Sequence, residues 1–358
     1  MTFNSEMPVK RILIVKPSSL GDIFHAFPAV AALREKFPDA EFDWFICPAF
    51  ADLLKYSPVK ITRIIPFYRR ELGSISKFTP FFIRLLRDLH SEKYDLIVDL
   101  QGLLRSALFS FFARGRRVAG FAAPREKIAK LFYKYRVDVP KECVHAVDRN
   151  LALVAGLGAA AAPNAWLPEV AEFYTSLAGK LTAAGLADND KVIGIVPGAR
   201  WESKRWPPEF FAEIVSRFRA DNPDFKVLII CSAADQADAD RILELAGTKG
   251  IISLAGQTNM GELIEAVRRC EFIVSNDSGP MHIAAALGKT VFALAGPTDP
   301  KRTGPYGDYH QIFKRDDLSC LKCLKRVCPE GTLACHDLNI EQIASKLSEL
   351  AQKKRVVK

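Results

Sequence analysis

The sequence predicts an α/β protein made of two doubly wound halves, and three observations carry that reading. Short apolar runs of strand length alternate with stretches of helical period. The alternation stops in an Ala/Gly/Pro-rich stretch at 155–168 and then begins again. The length of 358 residues suits two domains better than one.

In the first half, Arg11–Val15, Phe42–Ile46, Arg63–Pro66 and Tyr94–Leu100 read as buried strands, and Ile23–Lys36 and Phe81–His90 have helical spacing. In the second, Lys191–Val196, Lys226–Ile230, Gly250–Leu254, Glu271–Ser275 and Thr290–Leu294 read as strands, separated by helices such as Pro208–Arg219 and Ala237–Ala246. The reading is an N-terminal domain at 1–168, a C-terminal domain at 169–338, a linker near 158–185, and a terminal helix with a basic tail at 339–358. Strands alternating with helices form parallel sheets covered on both faces, and their ligands sit beyond the carboxyl ends of the strands. A cleft between two such domains is the expected site.

Hydrophobic residues at 49% and charged residues at 25% exclude a disordered or disulfide-stapled chain. Met1 to Lys10 contains Glu6 and no apolar run, and the longest uncharged stretch, Asn150–Pro168, is broken by glycines and prolines. A cytoplasmic location is therefore expected, with the eight cysteines as thiols or metal ligands. The charge is uneven. Residues 1–168 hold 25 basic and 16 acidic groups, residues 169–358 hold 25 of each, and segment 60–136 alone carries +11. Either the first domain meets an anionic partner or this is a solvated basic surface.

Three loops carry the chemistry. Lys16-Pro-Ser-Ser-Leu-Gly-Asp22 ends the first strand, and Ser18, Ser19 and Gly21 make a small-residue turn suited to an anion at a helix start. Asp22 is either a first-turn cap or a general base. Pro197-Gly-Ala-Arg-Trp-Glu-Ser-Lys-Arg-Trp-Pro207 contains Gly198, which would let backbone approach a ligand, and Lys204 and Arg205 within reach of phosphates. Ser275-Asn-Asp-Ser-Gly-Pro-Met-His282 opens a helix at Met281–Leu287, with Ser278 and Gly279 at its positive end, Asp277 beside them and His282 in its first turn. Gly296-Pro-Thr-Asp-Pro300 follows the next strand. Together the second-half loops suggest a nucleoside diphosphate site. No G-x-G-x-x-G or P-loop motif is present.

Ser18-Ser-Leu-Gly-Asp22, Asp99-Leu-Gln-Gly-Leu-Leu-Arg105, Lys204-Arg-Trp-Pro207, Asn276–His282 and Gly296–Pro300 together resemble glycosyltransferase family 9, the lipopolysaccharide heptosyltransferases, over nearly the whole chain. Phe42-Asp-Trp, Gln101-Gly102 and Pro124-Arg-Glu126 look most like the heptosyltransferase I branch, and the Cys-rich tail looks like the heptosyltransferase II branch. The resemblance implies a GT-B fold, two Rossmann-like domains facing across a cleft, and inverting transfer from ADP-L-glycero-β-D-manno-heptose without cofactor or catalytic metal. It also implies an acceptor in the Kdo region, Kdo2-lipid A or a heptosylated inner core, at the inner face of the cytoplasmic membrane. Asp22 would then be the base. Ser18, Ser19, Gly21, Gly198, Arg200, Lys204, Asp277, Ser278, Gly279 and His282 would bind the donor. Arg69, Arg70, Arg105 and Arg125 would meet the acceptor's carboxylates and phosphates. The family pattern has small hydroxyl residues where this chain has Ala199 and Arg200, so Arg200 would substitute as a charged donor.

Two rival readings are a sugar-nucleotide epimerase of the same fold, which needs no basic acceptor domain, and a nucleic-acid-binding module, for which no recognisable motif is present; no nucleic acid partner is expected. Cys320, Cys323, Cys328 and Cys335 are candidate ligands of a structural zinc or another metal, disulfide-forming or redox-labile thiols, or packing residues. Cys47, Cys143, Cys231 and Cys270 read as core thiols, His25 as a packing or site-lining residue, and Phe109, Phe111 and Phe112 as core packing in preference to a lipid contact.

Overall fold

The computed structural model describes residues 8–159 and 167–356. The chain divides into two compact units between Pro168 and Glu169. In chain order the first unit holds β1 (Arg11–Val15), α1 (Leu20–Phe24), α2 (Phe27–Lys36), β2 (Glu41–Ile46), β3 (Ile61–Pro66), α3 (Ile75–His90), β4 (Leu96–Asp99), α4 (Leu104–Phe112), β5 (Val118–Phe121), β6 (Tyr135–Val137) and α5 (Ala146–Ala155). Its six strands are all parallel in the order β3-β2-β1-β4-β5-β6. The direction of winding reverses at β1, so the loops after β1 and β4 flank the switch point where such sheets bind ligands. Ile12, Leu13 and Ile14 are completely buried, as a central strand covered on both faces requires.

The helical stretch expected at Ile23–Lys36 is two helices, and the first begins earlier, at Leu20. Pro28 is the reason. It has no N–H to give to the carbonyl four residues back, so the chain leaves helix after Phe24 and starts again at Phe27, with the proline in the first turn. The strand expected from Tyr94 begins only at Leu96; Tyr94 makes an isolated bridge to Gly115. Two short strands, β5 and β6, extend the sheet beyond the four read from sequence.

The second unit holds α6 (Ala171–Ala183), β7 (Lys191–Val196), α7 (Pro208–Asp221), β8 (Phe225–Ile229), α8 (Gln236–Ala246), β9 (Ile251–Ser253), α9 (Met260–Arg269), β10 (Phe272–Asn276), α10 (Gly279–Ala286), β11 (Thr290–Leu294), α11 (Pro300–Thr303), β12 (Gln311–Phe313) and α12 (Ile340–Val356). The sheet order β12-β11-β10-β7-β8-β9 repeats the first topology, with its switch between β7 and β10. Much of the expected linker is α6, whose Phe173, Leu177 and Leu181 fall at helical spacing and are buried. Glu262, the capping acid of α9, fixes α6 by accepting from Lys180 Nζ at 2.7 Å and Ser176 Oγ at 2.6 Å.

The terminal helix is part of this unit. Ile343, Leu347 and Ala351 of α12 join the core formed by Phe211, Phe218 and Ile195, and Asn222 Nδ2 donates to Ser348 Oγ at 3.0 Å. No helix among the described residues is long and apolar enough to cross a membrane. Truncating the fully buried Leu347 to Ala should cost about 2–5 kcal/mol. That loss should appear as a lower melting temperature of the second unit in calorimetry. A wild-type melting temperature would show that α12 only lies against the surface.

Candidate active site

In the second unit, β7, β10 and β11 are neighbours, so the loops leaving their carboxyl ends converge. Lys204 sits on the first loop and Asp277 on the second, and Lys204 Nζ lies 2.8 Å from Asp277 Oδ2 with both side chains largely buried. Thr298, from the third loop, donates its hydroxyl to the same carboxylate. The Lys204 ammonium also stands over the Trp201 ring, 4.7 Å from its centroid. A ring face and a carboxylate thus aim one cation beside the start of α10, where Ser278 is the N-cap and its hydroxyl lies 3.3 Å from that of Ser275. Gly279 opens the helix, and His282, half-buried, lies one turn along it.

Two neighbours of Lys204 depart from the sequence reading. Arg205 does not present itself to phosphates. Its Nε donates to Ala199 O at 2.8 Å and its guanidinium pairs with Asp235 and Asp238. The packing of the loop itself already requires Gly198, because a Cβ there would lie 2.5 Å from Asp235 Oδ2. Asp235 and Arg205 therefore lock the base of the loop, while Arg200 points outward and is exposed.

The tail braces this loop. Ser203 Oγ donates to Lys325 O at 2.6 Å, Ser203 N to Arg326 O at 3.1 Å, and Leu324 N to Pro297 O at 3.0 Å. His336 Nε2 lies 2.8 Å from Ser203 O, and its ring stacks on Trp206 with centroids 5.6 Å apart. Burial lowers the pKa of His336, so it is the neutral ring that donates there. Cys320, Cys323, Cys328 and Cys335 line one small cavity together with Ser203 and Gly296. Among the described residues no group of three or more His, Cys, Asp or Glu side chains that could hold a metal ion is found.

In the first unit, the acid at the end of β1 is bound into the first turn of α1. Asp22 Oδ2 accepts from Ser19 N at 2.9 Å and from Ser19 Oγ at 2.7 Å. This is the capping arrangement, and it engages the Ser19 amide that the sequence reading offered to an anion. Ser18 is half-buried and Gly21 lies inside the helix, buried.

Lys16, unassigned from sequence, is buried behind them. Its Nζ donates to Leu100 O at 2.7 Å. Burial pushes its pKa below the ordinary lysine range, and the charges of Asp22 and Asp99 oppose that fall. Asp99 itself accepts from Gln101 N, Gly102 N, Ser106 Oγ and Tyr133 Oη at 2.7–3.1 Å. Gly102 is needed for this turn, since its φ is +68°. His25 takes the packing role, buried against His145 with ring centroids 5.2 Å apart, while its carbonyl accepts from Asn150 Nδ2.

The four candidate acceptor arginines follow carboxyl ends of this sheet: Arg69 and Arg70 after β3, Arg105 after β4, Arg125 after β5, all exposed. Arg69 and Arg105 converge on Cys47, after β2. Burial raises that thiol's pKa and both cations oppose the rise. Of the aromatic cluster on α4, Phe109 is core, but Phe111 and Phe112 are 60% and 38% exposed, against the packing expectation.

Two Rossmann-like units, each gathering polar loops at the carboxyl ends of a parallel sheet, define an α/β protein of the GT-B class. The sequence model described as "Glycosyltransferase family 9 (heptosyltransferase)" matches residues 82–334. Lipopolysaccharide heptosyltransferase 1 of Pseudomonas aeruginosa is 33% identical over 330 residues, covering 89% of this chain and 87% of that protein. Among solved structures, a family 9 glycosyl transferase from Veillonella parvula superposes with a TM-score of 0.82 at 22% identity, covering 97% of this chain and 99% of that one. The E. coli heptosyltransferase WaaC with ADP superposes with a TM-score of 0.74 at 25% identity, covering 95% and 99%. The chain belongs to glycosyltransferase family 9, the heptosyltransferases, and is a glycosyltransferase.

The thiols should separate by reactivity. Backbone N–H groups of Leu333, Glu330, Gly331 and Thr332 lower the pKa of Cys328, whereas burial pushes Cys231 and Cys270 up to about 12. At neutral pH a slow alkylating reagent, followed by peptide mass mapping, should label Cys328 first and Cys231 and Cys270 only after unfolding. Equal labelling of all eight would refute this order.

Proposed function

We propose that the chain is a lipopolysaccharide heptosyltransferase of the heptosyltransferase I kind. It transfers heptose with inversion from ADP-L-glycero-β-D-manno-heptose to the Kdo region of the inner core. The observation that carries the reading is the Lys204–Asp277–Thr298 arrangement at the strand ends of the second unit, together with the similarity to a heptosyltransferase solved with ADP. A second reading, heptosyltransferase II, is favoured by the four-cysteine tail.

The roles divide between the units. The second unit takes the donor. Lys204 and the N-terminus of α10 with Ser278 and Gly279 neutralise the diphosphate as it leaves C1 of the sugar. The first unit takes the acceptor. Asp22 removes the proton as the acceptor oxygen attacks C1 from the face opposite the departing ADP. Arg69, Arg70, Arg105 and Arg125 hold the acceptor's carboxylates and phosphates. The work is placed at the inner face of the cytoplasmic membrane, where such an acceptor is anchored.

Incubation of ADP-heptose with Kdo2-lipid A, with a monoheptosyl acceptor, or with neither, read by product mass, tests the reading. One added heptose on Kdo2-lipid A supports heptosyltransferase I, addition only to the monoheptosyl acceptor supports heptosyltransferase II, and no product with either overturns both. Asp22→Asn retains an oxygen to accept from Ser19, so it removes the charge and leaves the cap. It should lower kcat by on the order of 10²–10⁴ with ADP affinity unchanged. Near wild-type turnover would reduce Asp22 to a helix cap. Lys204→Ala removes a charge-assisted contact to phosphate and should weaken ADP binding in calorimetry roughly tenfold or more. Unchanged affinity would place the diphosphate elsewhere.

A further inference from the structure

We propose that the outer surface of α3, α4 and the 3₁₀ segment Lys127–Phe132 is a lipid-docking face that seats exposed aromatic and aliphatic side chains in the headgroup–acyl boundary of an anionic bilayer. The proposal rests on the acceptor reading above in one respect, that the acceptor is lipid-anchored.

These elements satisfy the fold with their inner sides. Leu85 and Leu89 of α3, Phe109 of α4 and Ala129 of the 3₁₀ segment are buried in one core cluster. Their outer sides stay apolar. Phe78 is 44% exposed, Ile83 54%, Phe111 60%, Ile128 58% and Leu131 66%. The exposed phenylalanines are not scattered. Phe78 stacks on Phe82 at 5.1 Å, Phe82 meets Phe112 at 6.4 Å, Phe112 meets Phe111 at 6.0 Å, and Phe111 meets Phe132 at 5.7 Å. One continuous line of rings therefore joins all three elements, with Phe82 and Phe132 half-buried against the core and Phe78, Phe111 and Phe112 exposed along it.

Charge identifies the occupant. The three elements carry Lys77, Arg84, Arg87, Arg105, Lys127 and Lys130 against one acid, Asp88. The acid lies 3.9 Å from Arg63, a further cation. Lysines threaded between aromatic rings are disfavoured at the core of a protein interface. Two copies of so cationic a face would repel each other. An anionic bilayer satisfies both halves at once: rings and aliphatics enter the boundary while ammonium and guanidinium groups meet lipid phosphates. The face is also continuous with the acceptor residues, since Arg105 lies on α4 and Arg125 precedes the 3₁₀ segment.

The test uses the full chain and phosphatidylcholine vesicles with and without phosphatidylglycerol. The wild type should co-sediment with the anionic vesicles, and salt should weaken that binding. Phe111→Ser with Leu131→Ser should reduce partitioning at least about tenfold. The double variant should keep its turnover on a soluble, delipidated acceptor and lose it only on acceptor embedded in vesicles. As a readout independent of loss, Leu131→Trp should shift its emission to the blue on anionic vesicles and be quenched by brominated acyl chains. Partitioning unchanged in the double variant, or a tryptophan at 131 that brominated lipid does not quench, overturns the proposal. So does a dimer in sedimentation velocity that the double variant dissolves, which would give the face to a second copy. Failure to transfer heptose even to the soluble acceptor would overturn the functional reading instead, with the vesicle and quenching arms still deciding the docking face.

Discussion

The second unit's site depends on one contact, the pair between Lys204 and Asp277. Taking two charges out of water is costly, and the cost is offset only when geometry is good and the remaining lone pairs are satisfied. Here the carboxylate receives the Thr298 hydroxyl as well, and the ammonium has the Trp201 ring on another side. The pair joins the loops of β7 and β10, and Thr298 adds the loop of β11. A parallel sheet brings its strand ends side by side, but it does not say what their loops shall do. The ion pair supplies that, and the Arg205–Asp235 pair supplies the anchor behind it. Two adjacent basic residues thus divide the labour, one holding the loop to the body of the unit and the other directed into the site.

The first unit repeats the topology with a different solution. Its loops at the switch point are joined by Lys16, which reaches from the end of β1 to the Leu100 carbonyl beyond β4. Asp99 turns the β4 loop by accepting from two successive amides, Gln101 and Gly102, and a tyrosine and a serine hydroxyl complete its shell. Asp22 is bound to its own helix through Ser19. The acid carried by the family motif, which we propose as the base, is therefore also a structural cap. That is why position in the sequence alone left both open.

The central strands were legible because complete burial leaves uninterrupted apolar runs, as in Arg11–Val15 and Lys191–Val196. The short strands β5, inside its sheet, and β6 and β12, at sheet edges, were not. Lys204 and Asp277 were each recognisable as candidate site residues, but their pairing depends on strand order, which no local pattern encodes. Arg205 looked equivalent to Lys204 because composition cannot show that Asp235 lies beneath it. Phe111 and Phe112 looked like core because α4 is apolar on nearly every side, and only the packed helix shows which side faces the sheet. Lys16 was passed over because a lysine at a strand end normally reaches solvent, and here a distant carbonyl draws it inward.

The bracing of the Lys204 loop by the tail has a consequence for how this protein can diverge. Ser203 is held by backbone groups of Lys325 and Arg326 and by His336, and Pro297 by Leu324. The stretch at 199–206 and the cysteine-bearing stretch at 318–336 therefore form one heritable module, although more than a hundred residues separate them. A chimera that exchanges either stretch alone with a relative would inherit half of a lock, and the mismatch would fall on Trp206 and His336. Exchanged together, the two stretches carry their mutual fit with them. A tail that looks like a decoration on the end of the domain is thus a component of the loop that precedes it in sequence.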